Sequence, residues 1–170
     1  MSAIAPGQGP GSDEAARRPE GGRAARPVRH YHPGRGRHVE NAIMSVLARA
    51  GLVPRSCLLI TRGRKTGRAR ANPVVPVDHD GRRWLVAPYG AVSWVRNART
   101  SGRVILTRRG STREYAIREV TPETAGPVLR QYVRIAPATR RYFQAAADTP
   151  AEDFTAEAGR HPVFELTPVR

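Results

Sequence analysis

Short stretches of strand-forming residues, separated by polar turns that contain glycine, dominate the chain after residue 55. This spacing is typical of an antiparallel sheet whose strands follow one another through tight turns. Asp80-Gly81 favours such a hairpin turn, and Arg108 to Ser111 forms another turn signal. The predicted strands are Ser56–Thr61, Ala71–Asp78, Arg83–Ala87, Val104–Thr107, Arg113–Val120 and Pro162–Leu166. Five or six short strands predict an α+β, mainly β fold, a compact and largely antiparallel barrel.

A few helices are expected to flank these strands. Pro122 suits the first position of a helix that begins after Thr121, and Glu123 lies in its first turn, where the helix dipole favours an acid. An earlier amphipathic pattern precedes Gly51, a candidate C-cap. The predicted helices cover residues 38–50, Ser93–Thr100, 121–132 and Arg140–Ala147.

Residues 1 to about 36 are rich in Gly, Pro, Ala and Arg and lack an aliphatic pattern. They cannot bury enough apolar surface to offset the entropy of ordering, so the sequence predicts a disordered basic tail over 1–36 and one domain over 37–170. The net charge of +15 predicts anionic partners: nucleic acid, an acidic membrane surface or a phosphorylated small molecule. Lys65 is the only lysine, so a GC-rich coding bias is an alternative explanation for much of the arginine excess. The kind of anionic partner must therefore be inferred from where the basic residues lie in the sequence.

Cys57 is the only cysteine, which excludes an intrachain disulfide and a cysteine-based zinc site. Its apolar neighbours indicate a buried strand thiol rather than a nucleophile. His30, His32 and His38 lack nearby acidic ligands, so no metal site is predicted. No run approaches the roughly 20 apolar residues that span a bilayer, and the N-terminus lacks the apolar stretch of a signal peptide. A cytoplasmic protein is expected.

The most informative segment, called the basic loop below, is Gly63-Arg64-Lys65-Thr66-Gly67-Arg68. With its flanks it places five basic residues in nine positions, between two predicted strands. Its glycines allow positive φ, so backbone amides can converge on an anion, and arginine forks match phosphate oxygens. The segment lacks the spacing of an ordinary P-loop. The sequence predicts a phosphate site here; the alternative is a solvated hairpin tip.

The basic loop and the segments after it resemble the deazaflavin-dependent (F-420-dependent) nitroreductases and quinone reductases of actinobacteria. The mark of that family is a strand ending in Thr, then Gly-Arg-Lys-Ser/Thr-Gly-x-x-Arg, then Asn-Pro. This chain carries it as Thr61, Gly63 to Gly67, Arg70, Asn72 and Pro73. Further blocks follow in the family's order, namely Asp80-Gly81, Leu85 to Gly90, Trp94 to Asn97 and His161 to Leu166. The resemblance spans about residues 38–168.

The resemblance implies a split β-barrel related to FMN-binding barrels, with reduced 8-hydroxy-5-deazaflavin, coenzyme F-420, as its cofactor. Arg64, Lys65 and Arg70 match the residues that hold the cofactor's phosphate in the family. The deazaflavin ring is implied to lie beside the backbone that follows residue 86. The residues implied to bind the cofactor are Arg64, Lys65, Thr66, Gly67, Arg70, Asn72, Pro73, Ala87, Pro88, Tyr89 and Gly90.

The candidate catalytic residues, which the resemblance places at the substrate pocket, are Trp94, Tyr132 and Tyr142. Trp94 matches a tryptophan that lines the ring and pocket; the alternative is a core position at a helix start. The tyrosines fall where the family places substrate-facing ones, and a phenol can orient an acceptor oxygen or donate a proton. Simple packing is slightly favoured for each tyrosine. His161, ahead of Pro162 at a strand start, is interpreted as structural.

The function implied by the resemblance is a two-electron reductase that passes hydride from the reduced deazaflavin to a quinone, a nitroaromatic or an activated alkene. The alternatives are an FMN-dependent barrel oxidoreductase, a deazaflavin carrier without turnover and, less favoured, a nucleic-acid-binding barrel. Against the last, aromatic residues make up only 6% of the chain, too few for a base-stacking platform. A homodimer and peripheral contact with a membrane stay open, and no specific nucleic-acid partner is expected.

Overall fold

The computed structural model describes residues 55–170; the predicted tail over 1–36 and the predicted helix over 38–50 lie outside them. The strands are β1 (Cys57–Arg62), β2 (Ala69–Val74), β3 (Val77–His79), β4 (Arg82–Val86), β5 (Arg103–Arg108), β6 (Ser111–Glu119) and β7 (Val163–Pro168). The helices are α1 (Ser93–Ser101), α2 (Pro122–Ile135) and α3 (Ala151–Glu157), with short 3₁₀ helices at Pro137–Tyr142 and Ala158–Arg160.

All seven strands belong to one sheet in the order β2-β1-β5-β6-β7-β4-β3, and each neighbouring pair is antiparallel. Strands β2 and β3 lie at opposite edges, yet only Val75 and Pro76 separate them in the chain. A flat sheet of this order would be about 29 Å wide, whereas that connection reaches only about 11 Å. The sheet must therefore curl until its edges meet. The predicted mainly β, antiparallel barrel is confirmed.

The two hairpin turns explain why strands this short pair in a fixed register. Asp80 and Gly81 have φ values of 49° and 69°, and Arg109 and Gly110 have 49° and 78°. Positive φ at both central residues is the geometry of a type I′ turn, whose twist matches that of the strands it joins. The predicted hairpin at Asp80-Gly81 is confirmed.

Side chains alternate between the two faces of the sheet and build two cores. Leu85 joins a cluster on one face with α1, whereas its neighbours Trp84 and Val86 join the cluster that α2 and α3 cover. We call these the inner cluster and the outer cluster. Buried residues of the inner cluster include Leu59, Leu85, Trp94, Val95, Val104, Leu106, Tyr115, Phe164 and Leu166. Buried residues of the outer cluster include Val77, Trp84, Val128, Leu129, Tyr132, Tyr142, Phe143 and Phe154.

The structure corrects two predicted elements and adds one helix that was not predicted. The helix predicted over Arg140–Ala147 is wrong: the 3₁₀ helix Pro137–Tyr142 lies there, and irregular chain follows. The Arg140 side chain caps α2 instead, because its Nε donates to the Val133 carbonyl at 2.9 Å. Helix α3 was not predicted. The strand predicted over Ala71–Asp78 is broken at 75–76, since Pro76 has no N–H to donate to a ladder.

Candidate functional site

The topology brings the two segments implied to bind the cofactor to the same end of the barrel. The basic loop follows the last residue of β1, and Ala87–Gly90 follows the last residue of β4. Four antiparallel pairings separate β1 from β4 in the sheet, so these two strands run in the same direction. Both segments therefore lie at the same end of their strands.

Helix α1 joins these two segments through the buried side chain of Asn97, which is 4% exposed. Asn97 Oδ1 accepts the backbone N–H of Arg64 at 3.2 Å, and its Nδ2 donates to Thr61 Oγ1 at 3.3 Å. The helix begins at Ser93, about 6 Å along its axis from Asn97. One amide side chain thus fixes the basic loop against the helix that starts just after Gly90.

The basic loop is a closed backbone turn. Gly63 N donates to Arg68 O at 2.8 Å, and Gly67 N donates to Gly63 O at 2.7 Å. Gly67 adopts a φ of 65°, which residues with a Cβ rarely reach. The turn that the glycines predict is therefore present, and two backbone hydrogen bonds hold its shape.

The charge of this region is positive and uncompensated. The side chains of the basic loop and its flanks are exposed, and among the described residues no carboxylate lies within 4.0 Å of any of them. The basic residues in question are Arg62, Arg64, Lys65, Arg68 and Arg70. Solvated guanidinium and ammonium groups without internal partners are available to an anion.

A cleft of about 820 Å³ opens beside the basic loop. Its one acidic residue, Glu114, is held by Arg103 at 3.3 Å. The residues that line the cleft are Ile60, Thr61, Arg62, Gly63, Arg64, Gly67, Ala69, Asn97, Thr100, Ser101, Arg103, Val104, Ile105 and Glu114. The volume lies within the range of small-molecule sites.

Only some of the residues that the sequence predicts to bind the cofactor line this cleft. Arg64 and Gly67 line it, whereas Lys65 and Thr66 lie between them at the loop tip. Arg70 pairs with Thr61 across β1 and β2. Asn72 and Pro73 lie further along β2, opposite Leu59 and Leu58, and do not line the cleft.

The segment from Ala87 to Gly90 is held by the residues just before β7. Ala87 N donates to Pro162 O at 2.9 Å, and His161 Nδ1 donates to the Pro88 carbonyl at 3.1 Å. A Cβ added at Gly90, where φ is 77°, would lie 3.3 Å from the Arg160 carbonyl oxygen. A bulky side chain at Gly90 would therefore displace this segment.

Two of the candidate catalytic residues lie against that segment. The ring of Tyr142 meets the ring of Tyr89 edge-on, with centroids 4.8 Å apart. Burial raises the pKa of the Tyr132 hydroxyl well above its ordinary value, a hydrogen bond with Thr139 opposes this rise, and nearby Tyr89 adds to it. Tyr132 therefore stays protonated, and the structure gathers Tyr89, Tyr132 and Tyr142 into one group.

Trp94 does not join these tyrosines. It is 6% exposed and packs in the inner cluster against Phe164, with ring centroids 5.8 Å apart. Tyr132 and Tyr142 belong to the outer cluster, on the other face of the sheet. The position of Trp94 corresponds to the core alternative.

Sequence reasoning missed the group that supports Ala87–Gly90, which we call the ring-side segment because the family resemblance implies that the deazaflavin ring lies beside it. Glu157 is 3% exposed; its carboxylate accepts the backbone N–H of Gln144 at 2.9 Å and that of Ala145, and lies 3.5 Å from His161 Nε2. Burial raises the pKa of this carboxyl, but the adjacent His161 ring and the hydrogen bonds from the two amides outweigh burial and lower it overall. His161 also stacks on Phe143 at 4.1 Å. No periodicity or motif marked Glu157, since its partners come from a loop without regular structure.

Metal sites and membrane spans were sought over residues 55–170. Within that range no group of three or more His, Cys, Asp or Glu residues is placed to hold a metal ion. None of the helices in the same range has the length and apolar character needed to cross a bilayer.

Comparison with solved structures gives similar chains at low identity. A structure described as a domain-swapped dimer has a TM-score of 0.51 at 21% identity, covering 79% of this chain and 100% of that one. The protein Atu2129 of Agrobacterium tumefaciens, of unknown function, has a TM-score of 0.51 at 16% identity, covering 84% and 58%. A structure described as an F420-H2 dependent reductase (FDR-A) has a TM-score of 0.48 at 22% identity, covering 67% and 95%. These similarities concern the fold.

The family comparison bears on activity. The model of the F420H(2)-dependent quinone reductase family matches residues 37–151, which include the basic loop, the ring-side segment, α1 and α2. The match agrees with the curled antiparallel sheet and with the resemblance that the sequence motif indicated. The chain is a split-barrel reductase that belongs to the F420H(2)-dependent quinone reductase family.

Proposed function

We propose that this reductase binds the phosphate of coenzyme F-420 with its basic loop and passes two electrons, as hydride, to a small organic acceptor: a quinone, a nitroaromatic or an activated alkene. The observation that carries the proposal is the closed backbone turn of the basic loop. It lies beside a cleft of about 820 Å³, and among the described residues its cations have no carboxylate partner. The phosphate of the cofactor, a diester with one negative charge, would supply a counter-charge that the described residues do not provide.

The residues present fit such a cofactor at both ends. Arg64, Lys65 and Arg70 would hold the phosphate, with the Gly67 turn between them. The backbone at Ala87–Gly90 would lie beside the deazaflavin ring, held in place by His161 and Pro162. When bound, the reduced ring supplies the hydride.

Tyr89, Tyr132 and Tyr142 would bind and orient the acceptor. Tyr132 stays protonated because burial raises its pKa, so its hydroxyl can donate to an oxygen on which negative charge develops. Tyr142 and Tyr89 would form the wall around it. Trp94 would contribute indirectly, because it packs α1 onto the inner cluster through its contact with Phe164.

Fluorescence titration of the full chain with F-420, and with FMN alongside, tests the cofactor. We expect Lys65→Ala and Arg64→Ala each to weaken F-420 binding at least about tenfold, or about 1.4 kcal/mol. Arg118→Ala is the control: it also removes one positive charge, but Arg118 is paired with Glu165, so F-420 affinity should not change. Binding of FMN in its place would favour the flavin alternative, and binding of neither would contradict the proposal.

Acceptor-dependent oxidation of bound F-420H2 separates the enzyme from a carrier. We expect the wild type to turn over a quinone or a nitroaromatic. Tyr132→Phe should lower kcat and leave the Kd for F-420 unchanged. Tight binding without turnover on any acceptor class would favour the carrier. Oligonucleotide binding with a steep salt dependence would instead revive the nucleic-acid alternative.

Two further proposals concern assembly and location. Because one structurally similar chain is described as a domain-swapped dimer, we propose a homodimer, which light scattering would detect as twice the 18.6 kDa chain mass. The lone Cys57 fits the reducing cytoplasm, where we propose the enzyme acts.

A further inference from the structure

A second cleft, of about 470 Å³, lies at the opposite ends of the strands from the basic loop. It uses Cys57, the first residue of β1, together with Arg108 at the end of β5 and Ser111 at the start of β6. The residues that line it are Arg55, Cys57, Pro76, Asp78, Arg83, Leu106, Arg108, Ser111, Arg113, Tyr115, Gln131 and Ile135. It shares no lining residue with the cleft beside the basic loop.

The charge of this second cleft is strongly positive. Four arginines line it, and the one acid in its lining, Asp78, is already paired with Arg83 through contacts of 2.8 and 3.3 Å. Among residues 55–170 no carboxylate lies within 4.0 Å of the side chains of Arg55, Arg108 or Arg113. Three guanidinium groups therefore face the cleft without an internal counter-charge.

Arg108 shows that this charge is partly removed from water. Its Nε is buried and makes no hydrogen bond within the described part of the chain. Three buried side-chain nitrogens have this property there, and Arg108 Nε is the one that lines this cleft. A desolvated donor of a cationic group costs free energy unless an acceptor satisfies it, and an anion in the cleft would do so.

We propose that this cleft is a second anion site, which binds a small, multiply charged oxyanion: a phosphate ester or a polycarboxylate. Arginine forks bind both groups through paired N–H donors, and the Ser111 hydroxyl adds a further donor. The volume suits a ligand of a few to about a dozen heavy atoms rather than a macromolecule. The site is independent of the proposed cofactor site, because the two clefts lie at opposite ends of β1 and β5.

Calorimetric titration of the full chain at about 0.15 M salt, with pyrophosphate in one arm and citrate in the other, tests this site. We expect two pyrophosphate sites: one lost in Lys65→Ala and the other weakened at least about tenfold in Arg108→Met and in Arg113→Met. Whichever of the two anions binds the second site with the lower Kd shows whether that site prefers a phosphate group or a polycarboxylate. Arg118→Met, on the same strand as Arg113 but outside the cleft, should retain both sites.

Alkylation of Cys57 tests where the anion binds, because Cys57 is the only cysteine and lines the cleft. We expect the anion to slow alkylation of Cys57 at least about fivefold in wild type and Lys65→Ala, but not in Arg113→Met. A single pyrophosphate site that depends on Lys65 alone, or binding that leaves the alkylation rate unchanged, would overturn the proposal. F-420 affinity should be the same in wild type and Arg113→Met, so this failure is distinct from failure of the proposed cofactor site.

Discussion

Asn97 connects the basic loop to the helix that begins beside the ring-side segment. Replacing it with alanine leaves a buried Thr61 hydroxyl and the Arg64 amide without their partner. We expect Asn97→Ala to lower the free energy of unfolding by about 1–3 kcal/mol, measured in urea, and to weaken F-420 binding as the loop loses its support.

The exposed Arg96→Ala on the same helix is the matched control, and should change stability by less than about 0.5 kcal/mol. If Asn97→Ala is destabilised while F-420 affinity holds, Asn97 stabilises the fold only and has no part in positioning the loop.

Glu157 should make the free energy of unfolding depend on pH in the acid range. Its folded-state pKa is lower than its ordinary value, so the stability it contributes is present above that ordinary value and is lost as pH falls through the folded pKa. We therefore expect Glu157→Gln to be less stable than wild type near pH 7, with the difference shrinking below about pH 4.5.

Urea midpoints at a series of pH values would measure this, with the exposed Glu152→Gln on the same helix as the control. His161 and Arg160 are the charged or titratable groups that face Glu157. A difference that is constant from about pH 7 to about pH 3 would show that the carboxylate charge contributes nothing.

Helix α3 depends on its contact with α2 at Gly126. A Cβ at Gly126 would lie 2.8 Å from the Ala151 carbonyl oxygen and closer still to Thr155 Oγ1, so the helices would have to move apart. We expect Gly126→Ala to lower the free energy of unfolding by about 1–3 kcal/mol despite its better helix propensity. Gly159→Ala, where a Cβ meets nothing within 4 Å, is the control; equal effects of the two would contradict the contact.

This dependence explains which elements the sequence could predict. The strands and both hairpin turns follow from local pattern and from residues that tolerate positive φ. Helix α3 has only seven residues, too few to be stable alone, and exists because α2 offers it a groove at Gly126. The helix wrongly predicted over Arg140–Ala147 had a local pattern, but Glu157 binds the backbone of 144–145 instead.

The residues of the candidate site also differ in whether the sequence alone could reveal them. The basic loop is contiguous in sequence, so its residues and its glycine turn could be recognised directly. Asn97 and Glu157 act through partners more than ten residues away, which no single-sequence pattern reveals. The placement of Trp94 in the inner cluster and of Tyr132 in the outer one likewise depends on which face of the sheet each helix covers.

The net charge of +15 has a testable consequence for the whole molecule. Raising salt from about 0.1 M to about 1 M shortens the screening length from about 10 Å to about 3 Å. We expect this to weaken F-420 binding several-fold, while a deazaflavin without phosphate and glutamate binds equally at both concentrations. Parallel fluorescence titrations of the two ligands would measure this. Equal salt dependence of the two ligands would mean that salt does not act through the anionic groups of the cofactor, and would contradict this prediction.

The sheet order has a consequence for the synthesis of the chain. Strands β1 to β4 form two local hairpins, and β5, β6 and β7, made later, fill the gap between β1 and β4. Until β7 leaves the ribosome, β1 or β4 presents an unpaired edge to other chains in the cell. The nascent reductase is therefore open to aggregation through this edge until β7 pairs with β4 and β6.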